Sequence, residues 1–249
     1  MTEDHIGRSV RRLEDERFLT GRGRYVDDIA VPGQLHGVVL RSPHGHAVIE
    51  GIDAAAALAM PGVRGVFTAA DLDADGIGTL PCIARVATVV PMIVPPRWAL
   101  ARDRVRHVGD PVAFVVADTA QQAHDAAERV AVAYRSLPAV VDAREALGLN
   151  APLLWDEAPG NLSYRFERGD KPAVDAALSA AAHIVEIELI NNRLVPAPIE
   201  PRAAIGTYDA TTNRLDLLLT GQGVHSLRRQ LAEAVFNMQI GRASCRERV

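Results

Sequence analysis

The stretch VRHVGDPVAFVVADTAQQAHDAAERVAVAYRS, residues 105–136, decides how this chain is read. Residues 111–117, PVAFVVA, are almost continuously apolar, as expected of a strand covered on both faces. Thr119 with Gln122 three residues on is the signature of a capping box, which predicts a helix start. Along that helix Ala123, Ala126, Ala127 and Val130 recur at helical spacing and form the stripe to be buried. His124, Asp125 and Arg129 then fall toward solvent. AVAYRS, residues 131–136, returns as a second strand.

Working outward, the same order recurs at 35–68. LHGVVLR reads as a strand, and DAAAALAMPG as a short helix with Asp53 as its cap and Pro61-Gly62 as its stop. VRGVFTA reads as the returning strand. Two β-α-β passes in the first 140 residues argue for an α/β domain. Residues 73–103 carry Pro81, Pro91, Pro95 and Pro96 and little periodicity, which marks a long loop of functional or partner-covering kind. Residues 137–161, punctuated by Pro138, Gly148, Pro152 and Pro159-Gly160, read as a linker. Beyond it a helix is expected over 171–181 with Asp170 as cap. IVEIELI, 184–190, alternates as a strand with Val185, Ile187 and Leu189 inward. AAIGTYDATTNRLDLLLT reads as a hairpin turning at Thr211–Asn213.

The bulk properties exclude several classes. With 249 residues, 48% hydrophobic and 23% charged, the chain can bury a real core. Its net charge of −4 comes without a basic block that would attract nucleic acid or an anionic membrane surface. Every apolar run stops short of a membrane span, and the N-terminus lacks the apolar region of a Sec signal, so a cytoplasmic location is expected. Cys82 and Cys245 are the only cysteines, which leaves no disulfide framework and no cysteine metal cage. The closing IGRASCRERV, 240–249, has no apolar period and resembles a non-native fusion or sequencing scar. It is set aside from the fold, which would place the end of the native segment near 239.

Few residues suggest chemistry on their own. His44-Gly45-His46 could face one ion, but no third ligand follows at a familiar spacing, and a hydrogen-bonded turn is the better reading. His124 reads as an exposed helix position and His183 as a strand edge. GRGRY, 21–25, lacks the preceding strand of a phosphate loop. Asp27-Asp28 and Asp73/Asp75 read as solvated loop charges. No nucleophile elbow, Walker loop or dinucleotide fingerprint occurs. TGQGVH, 220–225, says more. Gly221 and Gly223 permit close backbone approach to a ligand. A helix follows with Val224, Leu227, Leu231 and Val235 on one face, its positive end toward the turn. Gln222 offers an uncharged donor and acceptor between the glycines, suited to orienting an oxo group or a phosphate. A glycine-capped helix with a polar first turn is the plainer alternative.

Three segments, RRLEDERFLTGRGRYVDDI, RSPHGHAVIEGIDAAAALAMPGV and VGDPVAFVVADTAQQAHDAAERVAVAYRSLPAVVD, resemble the opening of a known kind of chain. It is the molybdenum-binding large subunit of the family of xanthine dehydrogenase, aldehyde oxidase and aerobic carbon monoxide dehydrogenase. The resemblance runs in order over most of 6–237. It implies an α/β (α+β) fold: an a/b hammerhead domain over 1–145, then an incomplete molybdopterin-binding domain over 155–239. VPAPIEPRAAIGTYD resembles the lead into the cofactor pocket, with Glu200 at a recurrent acidic position. GQGVHSLRR resembles the loop whose glutamine hydrogen-bonds an oxygen ligand of molybdenum, so Gln222, flanked by Gly221 and Gly223, becomes the cofactor-facing residue. The complete enzyme would oxidise an aldehyde, an N-heterocycle or carbon monoxide with water as the oxygen source. It would use molybdenum-molybdopterin, in the cytosine dinucleotide form. Its partners would be a flavin-binding medium subunit and a 2Fe-2S small subunit, in a dimer of heterotrimers. The family's glycine-rich cofactor loop and catalytic glutamate have no counterpart in these residues, so the fragment is expected to be inactive and to hold no cofactor stably. A non-catalytic subunit-interaction module is the alternative.

Overall fold

A computed structural model describes residues 7, 9–84 and 86–247. The chain packs as two compact units that interleave in sequence. The larger comprises Gly33–Pro196 with Arg229–Met238; the smaller comprises Met1–Pro32, which holds α1 (Asp15–Leu19), with Ala197–Arg228 and Gln239–Val249.

The larger unit holds two three-stranded sheets. The first orders β1 (His36–Arg41), β5 (Pro111–Ala117) and β3 (Val63–Phe67) with β5 in the middle; the second orders β4 (Arg104–Val105), β2 (Ala47–Asp53) and β6 (Ala131–Ser136). Every pairing in both is antiparallel. The mixed α/β expectation is met, but neither β-α-β pass closes a parallel pair. The first passes from β1 through β2 and α2 (Ala55–Leu58) to β3, on the far side of β5. The second runs from β5 through α4 (Ala120–Ala127) into the other sheet.

The packing follows from the opening stretch. Val115 of β5 lies opposite Val38 on one neighbour and Val66 on the other, a row of valines on one sheet face. Ala126, Ala127 and Val130 pack with Val115 and Ala57, and small side chains along α4 let its backbone settle close to the sheet. Ala123, Ala126, Ala127 and Val130 are all buried, and His124, Asp125 and Arg129 are exposed. Thr119 accepts from the Gln122 backbone N–H at 3.2 Å, and its hydroxyl donates to Gln122 Oε1 at 3.0 Å. A second cluster of Ala47, Val105 and Val112 shares Ile52 and Val132 with the first, and that cross-strand pair joins the two sheets.

Several local expectations shift. Ala54, not Asp53, sits at the cap of α2, though Asp53 still accepts the Ala55 N–H at 2.9 Å. A six-residue helix, α3 (Ala69–Ala74), follows Thr68, whose backbone N–H and hydroxyl both donate to Asp71 Oδ2. The segment read as a linker is knitted by Asn161, which accepts from Leu154 N–H and donates to the carbonyls of Ala146 and Pro152. Helix α5 (Lys171–Ser179) forms as expected, with Asp170 accepting the Ala173 N–H at 3.0 Å. The expected strand at 184–190 does not form: Val185, Ile187 and Leu189 are exposed, not inward, and His183 is not on a strand edge. Alternation specifies a face only when a neighbouring strand supplies the ladder, and none does here among the described residues.

In the smaller unit β7 (Ala204–Asp209) and β8 (Arg214–Leu219) form the expected hairpin, from Ala204 opposite Leu219 to Asp209 opposite Arg214. The exclusion of 240–249 from the fold needs correction. Ile240–Arg242 makes one turn, and β9 (Ala243–Glu247) runs parallel to β8 with Ala243 buried. The reason lies in β8, which has β7 on one side only. An open edge presents unpaired backbone groups that a strand of almost any sequence satisfies.

Candidate functional site

The hairpin delivers the chain to the Gly221-Gln222-Gly223 turn, so its own geometry comes first. Asp209 closes the hairpin by accepting from the Thr211 N–H (2.9 Å) and from the hydroxyls of Thr211 (2.6 Å) and Thr212 (2.7 Å). These bonds favour the charged form, and the Thr211 hydroxyl foremost holds the Asp209 pKa down at about 2. At the other end of β8, the Thr220 N–H donates to Ala203 O at 3.0 Å and its hydroxyl donates to Glu200 Oε1 at 2.9 Å. The same Glu200 oxygen accepts the N–H of Val26, a buried residue, at 3.3 Å. Glu200 therefore anchors the strand end that carries the turn. Sequence reading placed Glu200 near the site but could not show this bond across 174 positions. The only local signal was a threonine directly before Gly-Gln-Gly.

The two glycines have separate physical reasons. Gly223 has φ of +76°, a left-handed conformation that a Cβ would strain. At Gly221 a Cβ would stand 2.8 Å from the end of the Leu219 side chain. Helix α6 (Val224–Gln230) then begins, with the Leu227 N–H donating to Gly223 O at 3.1 Å. The winding widens over Leu231–Val235, where Ala232 and Val235 are buried and Val235 O accepts the Gly78 N–H at 2.7 Å. Gln222 itself is exposed, and no described residue hydrogen-bonds its amide. The turn is thus pinned before and after a carboxamide whose donor and acceptor face outward.

Several of the other candidates are tied into local structure. His44 N–H donates to Ser42 Oγ at 2.9 Å, and His46 Nδ1 lies 2.8 Å from Pro138 O, so the His44-Gly45-His46 segment forms a hydrogen-bonded turn. Asp28 accepts the Tyr25 N–H, Arg22 pairs with Glu16, and Asp73 pairs with Arg102, which also stacks on Trp98. An open groove of about 300 Å³ in the larger unit is lined by Ile49, Glu50, Thr68, Ala69 and Arg102. Its charged groups are already taken, Glu50 by Arg135 and Arg102 by Asp73, so it presents no convergent polar set. Among the described residues no helix is long and apolar enough to cross a membrane.

Two family descriptions match this chain. Residues 20–138 match the a/b hammerhead domain of aldehyde oxidase and xanthine dehydrogenase, and residues 154–248 match a molybdopterin cofactor-binding domain. Among curated proteins the chain is 39% identical over 225 residues to the nicotine 6-hydroxylase large subunit of Paenarthrobacter nicotinovorans. It is 35% identical over 235 residues to the carbon monoxide dehydrogenase large chain of Afipia carboxidovorans. Each alignment takes in 90% of this chain but only 27% and 28% of the relative. Among solved structures, carbon monoxide dehydrogenase from Oligotropha carboxidovorans superposes with a TM-score of 0.82 at 33% identity. Quinoline 2-oxidoreductase from Pseudomonas putida gives 0.81 at 33%. These cover 96% and 97% of this chain and 30% of each neighbour. Gln222 lies inside the segment matched to the cofactor-binding domain.

Proposed function

The chain belongs to the aldehyde oxidase and xanthine dehydrogenase family, and on that premise we propose that it serves as the cofactor-contacting opening of a molybdenum hydroxylase large subunit. In this reading 1–145 forms the hammerhead domain and 155–239 begins the molybdopterin-binding domain, while Ala243–Glu247 pairs with the open edge of β8. The observation that carries the reading is the free carboxamide of Gln222, held on a turn that Glu200 and Thr220 fix from one side and α6 from the other.

The residues present fit the cofactor at this one contact. When bound, the molybdenum-molybdopterin group, in its cytosine dinucleotide form, supplies the centre that takes two electrons from the substrate. Gln222 would donate its amide N–H toward that group and help to orient it, and Gly221 and Gly223 would leave the approach clear. Thr220, tied to Glu200, would hold the turn in place beside the group. A neutral amide suits the task because it donates without adding a net charge to a site whose charge changes during turnover.

The substrate class is an electron-poor carbon in an aldehyde or N-heterocycle, or carbon monoxide, oxidised with water as the oxygen source. Electrons leave through a flavin-binding medium subunit and a 2Fe-2S small subunit in a cytoplasmic dimer of heterotrimers. The named relatives, a nicotine hydroxylase and a carbon monoxide dehydrogenase, support the range without selecting within it. Metal analysis tests the reading. A complete large subunit containing this chain, assembled with its partners, is expected to hold about one molybdenum per chain, and purified 1–249 none. A complete subunit without molybdenum would point instead to a subunit-interaction module. A stoichiometric metal on 1–249 would show that the turn and its neighbours suffice.

A further inference from the structure

Among the described residues of 7–32, Val26 is the only buried one. Helix α1 buries nothing, and Leu13 and Leu19 are exposed. Val26 opens a single helical turn, Val26–Asp28, that lies against β7. The turn is closed from within. Asp28 N–H donates to Tyr25 O and Ile29 N–H to Val26 O, both at 3.1 Å, and Asp28 Oδ2 accepts the Tyr25 N–H at 2.8 Å. The Val26 N–H is one of the donors that a helix start cannot satisfy within itself, and it goes to Glu200 Oε1 at 3.3 Å. That oxygen also accepts the Thr220 hydroxyl. Val26 falls among the residues matched to the hammerhead domain, 20–138, yet it belongs to the smaller compact unit together with Glu200 and Thr220.

We infer that the Val26–Asp28 turn is a positioning element for Gln222, and that the Val26 N–H is the group through which it acts. A glutamate held only by a hydroxyl can swing, because both side chains rotate. A backbone N–H set in a hydrogen-bonded turn does not follow such a swing. It fixes where Oε1 stands, and with it where the Thr220 hydroxyl is bound. Thr220 leads directly into Gly221 and Gln222, so slack at Oε1 becomes slack at the carboxamide. Val26 is thus a positioning residue that works through Glu200 and Thr220. The inference rests on the reading of Gln222 as the cofactor-facing residue and adds the N-terminal turn to what holds it.

Two substitutions separate the N–H from the packing of the valine. Val26→Pro deletes the donor and keeps an apolar side chain. Proline suits the first residue of a helical turn, and Tyr25 already has the extended backbone, φ −90° and ψ 169°, that a following proline requires. Val26→Ala keeps the donor and gives up buried methyl groups. In purified 1–249, exchange of the Thr220 amide, bonded to Ala203 O, is measured relative to the amides of the β7–β8 ladder. Proline should raise that ratio about tenfold, whereas alanine speeds both together and leaves the ratio unchanged. In a complete large subunit with its partners, Val26→Pro should lower kcat by about tenfold, with KM and molybdenum content unchanged, and Val26→Ala should not. A ratio that proline leaves at the parent value, or that alanine raises as much, would overturn the proposal and leave Val26 a packing residue. So would a parent-like kcat for Val26→Pro in a preparation where Gln222→Leu lowers it. If Gln222→Leu itself turns over like the parent, the cofactor reading fails, and the exchange ratio alone decides whether the turn holds Thr220.

Discussion

Glu200 is where the structure makes the sharpest energetic statement. Its Oε1 accepts from the Thr220 hydroxyl at 2.9 Å and from the Val26 N–H at 3.3 Å, and Val26 is 1% exposed. Glu200→Ala leaves that N–H buried without an acceptor, which costs about 1–3 kcal/mol, with the lower half apt for so long a bond. The Thr220 hydroxyl is half-buried and can turn toward water, so its loss adds about 1 kcal/mol. The total expected is about 2–3 kcal/mol. Glu200→Gln keeps a carbonyl oxygen where Oε1 stood and should cost under about 1 kcal/mol. Both tryptophans lie in the larger unit, so their fluorescence would miss the event. Amide exchange of the β7–β8 ladder reports it directly. At about 1.4 kcal/mol per factor of ten, Glu200→Ala should speed opening by roughly 30- to 140-fold and Glu200→Gln by less than about fivefold. Equal effects from the two variants, or none from the alanine, would refute the view that this carboxylate oxygen holds the turn in place.

The remaining expectations follow from single observations. Val115→Ala removes two methyl groups from a fully buried position between Val38 and Val66 and should cost about 2–3 kcal/mol, lowering the melting point of the larger unit by about 5–10 °C; a shift under about 2 °C would mean the core collapses around the gap. Thr119→Ala should cost about 1 kcal/mol through the lost cap on α4, with Thr119→Ser restoring most of it in urea unfolding; an unchanged midpoint would deny the cap its role. Asp209 has a pKa held below its unfolded value. Its contribution is therefore complete above about pH 4 and lost as pH falls through about 2, and an NMR titration should place its carboxyl midpoint near 2. A midpoint near 4 would mean the threonine bonds do not persist in solution.

What the sequence disclosed and what it hid divide along physical lines. The β5–α4–β6 run was legible because its capping pair and alanine stripe are local, and Asp170 announced α5 for the same reason. The β7–β8 hairpin and the Gly-Gln-Gly turn showed through their flanking apolar strand and helix periods. Strand β2 was missed because its register shifts between Ile49 and Gly51, which breaks the alternation a reader counts. The six residues of α3 are too few to show a period, although Thr68 with Asp71 was there to be noticed. IVEIELI looked like a strand and is not one here, because pairing is a property of two segments. The Glu200–Val26 bond joins residues far apart in the chain, and no local pattern encodes such a bond.

Replacing Gln222 by leucine in the complete subunit, with its partners, tests the central claim most directly. The change keeps approximate size and removes the amide donor, while Gly221, Gly223 and the Glu200–Thr220 anchor stay in place. A donor aimed at charge that grows during turnover typically accounts for about 10²–10³ in kcat. The account predicts an assembly with unchanged molybdenum content and a kcat lower by that factor. Turnover equal to that of the parent enzyme would contradict it and leave Gln222 as a polar residue at the start of a helix.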